Sequence, residues 1–286
     1  MCIFAIIEKF KNMRTLLFKK VLFVLFTLNV NLLAAQIVSS EIYKKTSTRD
    51  LTLKIFTPDN LGKNEKRPAI IFFFGGGWNS RNIGQFERHS IEFSRKGMIC
   101  FIADYRVYNT DKVEPKFCLM DAKSAIRYVY SNADRLNVDV SRLVASGGSA
   151  GGHLAAATRY VDGFNDPIDD LSISCKPSAL VLFNPVIDNS KEGYGYDRIK
   201  KYFPQFSPSH NIKEPVPTIF FVGSEDKFIP SYLAEQYKQN CEKLRGRCDL
   251  HIFENRKHGF FTKGNDYNET VRLTEEFLVS IGYLNI

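Results

Sequence analysis

The chain has 286 residues, 44% of them hydrophobic and 24% charged, a composition that excludes a disordered or fibrous protein and allows one large core or two small ones. Part of its formal net charge of +8 sits in the first 35 residues; without Lys9, Lys11, Arg14, Lys19, Lys20 and Glu8, 34 basic residues face 30 acidic ones. No stripe of Lys and Arg interleaved with aromatics stands out, so nucleic acid is not expected as a partner.

In chain order, the basic residues named above precede an apolar run over residues 21–28, and Leu33-Ala34-Ala35 offers a small-residue cleavage site before Gln36. This pattern predicts a signal peptide over residues 1–35, cleaved near Ala35, with Met13 as an alternative start. The run is shorter than the ~20 apolar residues that a span needs and is interrupted by Asn29 and Asn31, so no stable membrane span is expected. An exported protein follows, periplasmic or secreted, with residues 36–286 as a single domain.

Residues 41–44 and 51–56 then read as strands, the second alternating apolar and polar so that one face is wet. Continuous apolar runs follow at residues 69–74, 98–103, 143–146, 179–183, 218–222 and 250–253. Helical stretches over residues 85–96, 117–135, 150–160, 232–243 and 269–281 separate most of them. Strands alternating with helices predict an α/β protein with a mostly parallel sheet covered on both faces. Such sheets bind ligands outside the carboxyl ends of their strands.

Gly147-Gly148-Ser149-Ala150-Gly151 lies between an apolar run and a helix start. G-x-S-x-G is the sequence form of a nucleophile elbow, in which a serine sits on a strained strand-to-helix turn. An ordinary Gly/Ser loop is the other reading. A nucleophilic serine needs a base and a group to orient that base. Of the five histidines, His258 alone lies on a loop just after a predicted strand; His251 falls within that strand, His153 and His89 on helices, and His210 in a Pro-rich loop. Asp226, after the strand at residues 218–222, is the expected orienting acid, with Glu225 as the near alternative. The order Ser149, Asp226, His258 is that of α/β-hydrolases. Gly75-Gly76-Gly77-Trp78 ends the first continuous apolar run, where its amides, with that of Ala150, suit an oxyanion hole. A phosphate loop would need a following Lys-Ser/Thr or G-x-G-x-x-G, and neither is present. The cysteines have no metal-ligand spacing, and neither metal nor organic cofactor is expected. Cys241 and Cys248 flank a helix-to-strand turn, where an oxidising compartment would favour a disulfide; two free thiols are the alternative.

Gly-Gly-Gly-Trp after a buried strand, Asp104-Tyr105-Arg106, Gly147 to Gly152, the Asp226 loop and His258-Gly259-Phe260 together resemble the α/β-hydrolase fold. Within it they resemble the hormone-sensitive-lipase-like esterases of acetyl-xylan-esterase or lipase type. The resemblance covers roughly residues 50–280 and implies about eight strands. It implies a Ser149–His258–Asp226 triad, oxyanion glycines Gly76 and Gly77, and a role for Asp104 and Arg106 in holding the loops around the site. Two departures stand out. Phe74 replaces the family's usual histidine before the glycines, so packing of Phe74 or Trp78 must order that loop. The short stretch before the first apolar run leaves no room for a large cap domain, and residues 188–215 are the remaining candidate lid.

The expected reaction is hydrolysis of a carboxylic ester, with acetyl or other acyl groups removed from carbohydrate as the first substrate reading. Trp78, Tyr194, Tyr196, Tyr202 and Phe203 are candidate sugar-stacking residues, although such aromatics more often serve packing. Other readings are a general short-chain carboxylesterase or lipase, a prolyl-oligopeptidase-type peptidase and a non-catalytic binding protein. The expected partner is a small-molecule or polysaccharide ester, and the expected assembly a monomer or homodimer.

Overall fold

Eight strands, β1 (Ile37–Lys45), β2 (Asp50–Thr57), β3 (Arg67–Phe73), β4 (Ile99–Ala103), β5 (Val138–Gly148), β6 (Ala179–Phe183), β7 (Thr218–Gly223) and β8 (Cys248–Phe253), form one sheet in the order β1-β2-β4-β3-β5-β6-β7-β8. The computed structural model describes residues 37–285; the predicted signal peptide, residues 1–35, lies outside them. β1 pairs antiparallel with β2, and β2 with β4; every other neighbouring pair is parallel.

Alternation within the apolar runs sends successive side chains to two separate cores. Ile70 and Phe72 of β3, Val144 of β5, Val181 of β6 and Phe221 of β7 enter one, covered by helices α1 (Glu87–Arg95) and α7 (Gly264–Ser280). Ile71 and Phe73, Ala145, Leu182 and Phe220 enter the other. That face is covered by α3 (Pro115–Ser131), α4 (Ala150–Tyr160) and α6 (Ser231–Lys243). A strand with both faces covered has no position for a polar side chain, which is why β3, β4, β6 and β7 read as unbroken apolar runs. β2 has one wetter face: Leu51, Leu53 and Ile55 are buried, whereas Thr52 and Lys54 are half-buried.

Two one-turn helices, α2 (Tyr108–Asp111) and α5 (Tyr196–Ile199), are too short to carry a periodic signal. The segment between β6 and β7 holds only α5 and a 3-10 turn at Pro208–His210, so no helical cap is inserted there. β5 begins at Val138 rather than at residue 143, because pairing of Arg67 with Val138 extends it through the polar residues Asp139, Ser141 and Arg142.

β5 and α4 meet β3 at minimal distance. A Cβ on Gly151 would lie 2.0 Å from the Phe73 carbonyl oxygen and 2.3 Å from that of Phe74, and one on Gly147 would lie 2.4 Å from the Gly151 carbonyl. Gly151→Ala is therefore expected to lower the unfolding free energy by about 3 kcal/mol. Gly84→Ala, where a Cβ would meet no atom of the described residues within 4 Å, should stay within about 0.5 kcal/mol of the parent. Urea unfolding of the two variants checks this, and equal midpoints would contradict it.

Candidate active site

The segments that follow β3, β5, β6, β7 and β8 line one cleft. At its centre, Ser149 holds φ 54° and ψ −121°, a conformation that costs a non-glycine residue of order 1–3 kcal/mol and persists only where its surroundings over-determine it. Here its amide donates to the Phe183 carbonyl, and its own carbonyl accepts from the amides of His153 and Val186, each at 3.0 Å. The half-buried Ser149 side chain lines a cleft of about 340 Å³ together with His258.

Asp226 follows β7. Its carboxylate is fully buried, Oδ1 accepting the amides of Phe228 at 2.9 Å and Ile229 at 3.0 Å. Its Oδ2 lies 2.7 Å from His258 Nδ1. The neighbouring Glu225 is exposed. An ionised carboxylate can only accept, so Nδ1 carries the proton and Nε2 is left as an acceptor. The other histidines stand elsewhere. His153 bonds the Phe206 carbonyl at 3.0 Å, and His89 lies among Phe72, Phe86, Phe183 and Tyr267. Burial pushes both imidazoles down to about 3. His251 stacks on Phe221 at the sheet face, and His210 bonds Ser207 Oγ.

The glycine loop is held on every side. Gly75 donates to Gln85 Oε1 at 2.6 Å, the amides of Asn79 and Ser80 donate to the Gly76 carbonyl, and Arg198 Nη1 donates to the Gly77 carbonyl at 2.6 Å. Among the described residues the amides of Gly76 and Gly77 have no acceptor, and both residues line the Ser149 cleft. Ala150 is the first residue of α4, where a helix leaves amides unpaired. Phe74 stacks on Tyr105 with ring centroids 4.0 Å apart, and the Tyr105 hydroxyl donates to the Phe74 carbonyl at 2.6 Å. Burial pushes that hydroxyl up, so it remains a donor. Stacking by Phe74 and a bond from Tyr105 thus fix the start of the loop. Asp104 is pinned by Arg49 and Arg81, and Arg106 donates two hydrogen bonds to the Asp121 carboxylate, from Nε at 2.8 Å and Nη2 at 2.7 Å.

Three expectations are corrected. Trp78 is 1% exposed, packed against His153, Tyr194 and Phe206, so it cannot serve as an exposed platform. Tyr196 packs on Phe203 and is not part of the Ser149 cleft, whereas Tyr194 is. Cys241 and Cys248 are free, buried thiols. Both belong to the core beneath α6, where burial pushes Cys241 up to about 11 and raises Cys248 further.

The structure adds Asn184, which sequence reasoning missed. It follows β6, is 1% exposed, and its Oδ1 accepts the Gly259 amide at 3.0 Å while its Nδ2 lies 3.5 Å from His258 Nε2. Its place at a strand's carboxyl end was the available signal; Phe-Asn-Pro otherwise looks like a simple turn. Phe228 and Phe261 also line the cleft. Asn184→Ala is expected to lower kcat/KM on p-nitrophenyl acetate about tenfold by loosening the His258 loop, the cost of about one hydrogen bond. Activity within twofold of the parent would contradict this role.

Comparison with known proteins agrees with this geometry. The family model BD-FAE matches residues 53–190, and that of the dienelactone hydrolase family matches residues 185–276. The chain is 28% identical to endo-1,4-beta-xylanase B of Butyrivibrio fibrisolvens, covering 59% of this chain and 29% of that one. It is 23% identical to the acetylxylan esterase of Xylanibacter ruminicola, covering 70% and 42%. The chain thus spans less than half the length of either relative. The apo structure of Thermogutta terrifontis esterase 2 superposes with a TM-score of 0.83 at 40% identity, covering 87% of this chain and 96% of that one. The same esterase has been solved with propionate bound and phosphorylated by paraoxon. On this likeness in sequence and fold, the chain belongs to the α/β-hydrolase serine esterases, which are carboxylic ester hydrolases.

Proposed function

We propose that this protein is an exported serine esterase that removes acetyl or other small acyl groups from carbohydrate, with Ser149 as nucleophile. The observation that carries the chemistry is the 2.7 Å contact of His258 Nδ1 with buried Asp226, beside a cleft that His258 shares with Ser149, Gly76 and Gly77. His258 takes the Ser149 proton as Oγ attacks the ester carbonyl. The oxyanion rests on the amides of Gly76, Gly77 and Ala150, where loss of one such donor costs about 3 kcal/mol. His258 then protonates the departing alcohol, and a water attacks the acyl-enzyme with His258 again as base. Asp226 holds the imidazole tautomer and stabilises its cation without taking the proton.

The substrate reading has its own support. Phe261 is fully buried, and its ring tip abuts Gly148, where a Cβ would lie 2.8 Å from Cζ. Phe86 stacks on it and Phe183 packs against it at a tilt. This wall favours a short acyl group. Phe228, which also lines the cleft, is 54% exposed and lies edge-on to His258, which suits a bulky alcohol. The xylanase and acetylxylan esterase relatives point to plant polysaccharide, and the basic and apolar pattern of residues 1–35 supports export. A second reading, a general short-chain carboxylesterase, is favoured by the propionate-bound state of the Thermogutta terrifontis esterase.

Paraoxon is expected to abolish hydrolysis of p-nitrophenyl acetate and to leave one diethylphosphoryl group on the peptide carrying Ser149. Ser149→Ala should lose about 10⁴-fold or more in kcat and take up no label. Label elsewhere, or undiminished activity of the variant, would sink the assignment. Acetate release from acetylated xylan, with p-nitrophenyl esters preferred at acetyl length, separates the two substrate readings. Activity rising toward octanoate without release from xylan would overturn the carbohydrate reading.

A further inference from the structure

A second cleft, of about 280 Å³, opens on the other side of the glycine loop, lined by Trp78, Asn79, Tyr108, Val113, Glu114 and Arg198 among others. One turn of chain separates the two clefts: Gly77 and Ser80 line the Ser149 cleft, whereas Trp78 and Asn79 line this one. Two peptide units span at most about 7 Å, so the parts of the glycine loop that line the two clefts adjoin one another.

The lining is two-faced. Tyr108 is 53% exposed, Val113 and Pro115 add aliphatic surface, and Asn79, Glu114 and Arg198 place polar groups around them. A sugar ring has this same division, with C–H faces that stack on an aromatic and hydroxyls at its rim. Lys112 Nζ lies 5.3 Å from the Tyr108 ring centre and takes up part of that ring's surface. Glu114 Oε1 accepts from Lys201 at 2.8 Å, and among the described residues its buried Oε2 has no partner, leaving acceptor capacity on a residue that lines the cleft. The walls bear both Glu114 and Arg198, which disfavours a strongly charged ligand of either sign. The cleft is also preformed. The amides of Tyr108 and Asn109 donate to the carbonyls of Trp78 and Asn79 at 3.0 and 2.9 Å. Arg198 Nη1 joins the Gly77 carbonyl to Asn79 Oδ1 at 2.6 and 3.1 Å.

We propose that this cleft is a subsite for a neutral oligosaccharide, holding the sugar next to the one whose ester lies at Ser149. The proposal deepens the carbohydrate-esterase reading and rests on it for the ligand's chemistry, but it is tested without the ester. Trp78 is the only tryptophan of the sequence and lines the cleft, so its fluorescence reports occupancy. Unesterified xylotetraose, cellotetraose and mannotetraose are titrated into the wild type and Tyr108→Ala. At least one should give a saturable change in the wild type, weakened about tenfold or more in the variant. Hydrolysis of p-nitrophenyl acetate by Tyr108→Ala should be unchanged, since Tyr108 lies outside the Ser149 cleft. No saturable change with any of the three, or equal binding by the variant, overturns the subsite. Failure of the wild type to hydrolyse p-nitrophenyl acetate would instead overturn the esterase reading, and the titration would still decide this one.

Discussion

Among the described residues, the glycine with least room for a Cβ is Gly151, at the contact on which the site depends. The turn from β5 into α4 lies against the end of β3 with no space for a Cβ at Gly147 or Gly151. That contact sets the height of Ser149 above the sheet and, through the same β3 residues, the place where the glycine loop begins. Ser149 and the amides of the glycine loop are therefore located by one steric fit. The strain at Ser149 is held by three backbone hydrogen bonds that run to β6, to the loop after it and into α4. A side chain on either glycine would move both halves of the site apart.

Around this fit, the remaining loops are fixed by bonds to one another more than to the sheet. Asp226 is oriented by two amides of its own loop before it meets His258. Asn184 ties the loop after β6 to the loop after β8. Tyr105 reaches from the loop after β4 to the carbonyl of Phe74, and the ion pairs of buried Asp104 with Arg49 and Arg81 hold that loop in place. A resting site built in this way has its hydrogen-bond donors aligned before substrate arrives, which is the arrangement from which electrostatic stabilisation draws most of its effect.

The legible and illegible parts of this design divide along a physical line. Apolar runs at residues 69–74, 179–183 and 218–222 announced the central strands because a doubly covered strand excludes polar residues. Ser149, Asp226 and His258 stood out as candidates because each has chemistry that few other positions could use and each follows such a run, and the structure places Asp226 against His258 beside the cleft that Ser149 lines. Asn184 was not, since its function comes from two contacts across the sheet edge and not from its neighbours in sequence. Trp78 was misjudged because composition does not say which aromatic is covered; here α4, through His153, and Phe206 bury it. The spacing of Cys241 and Cys248 suited a bridge, yet their side chains pack within one apolar core as separate thiols. Short helices such as Tyr108–Asp111 gain stability from tertiary bonds to the glycine loop, which no local pattern encodes.

The account's central claim is that Ser149 and His258 work as one unit. The most direct measurement is kcat on p-nitrophenyl acetate for Ser149→Ala, His258→Ala and the double variant. Each single change should cost about 10⁴-fold or more, and the double variant should be no slower than the slower single one, because the second residue has nothing left to assist. A double variant slower by the product of the two losses would contradict the account.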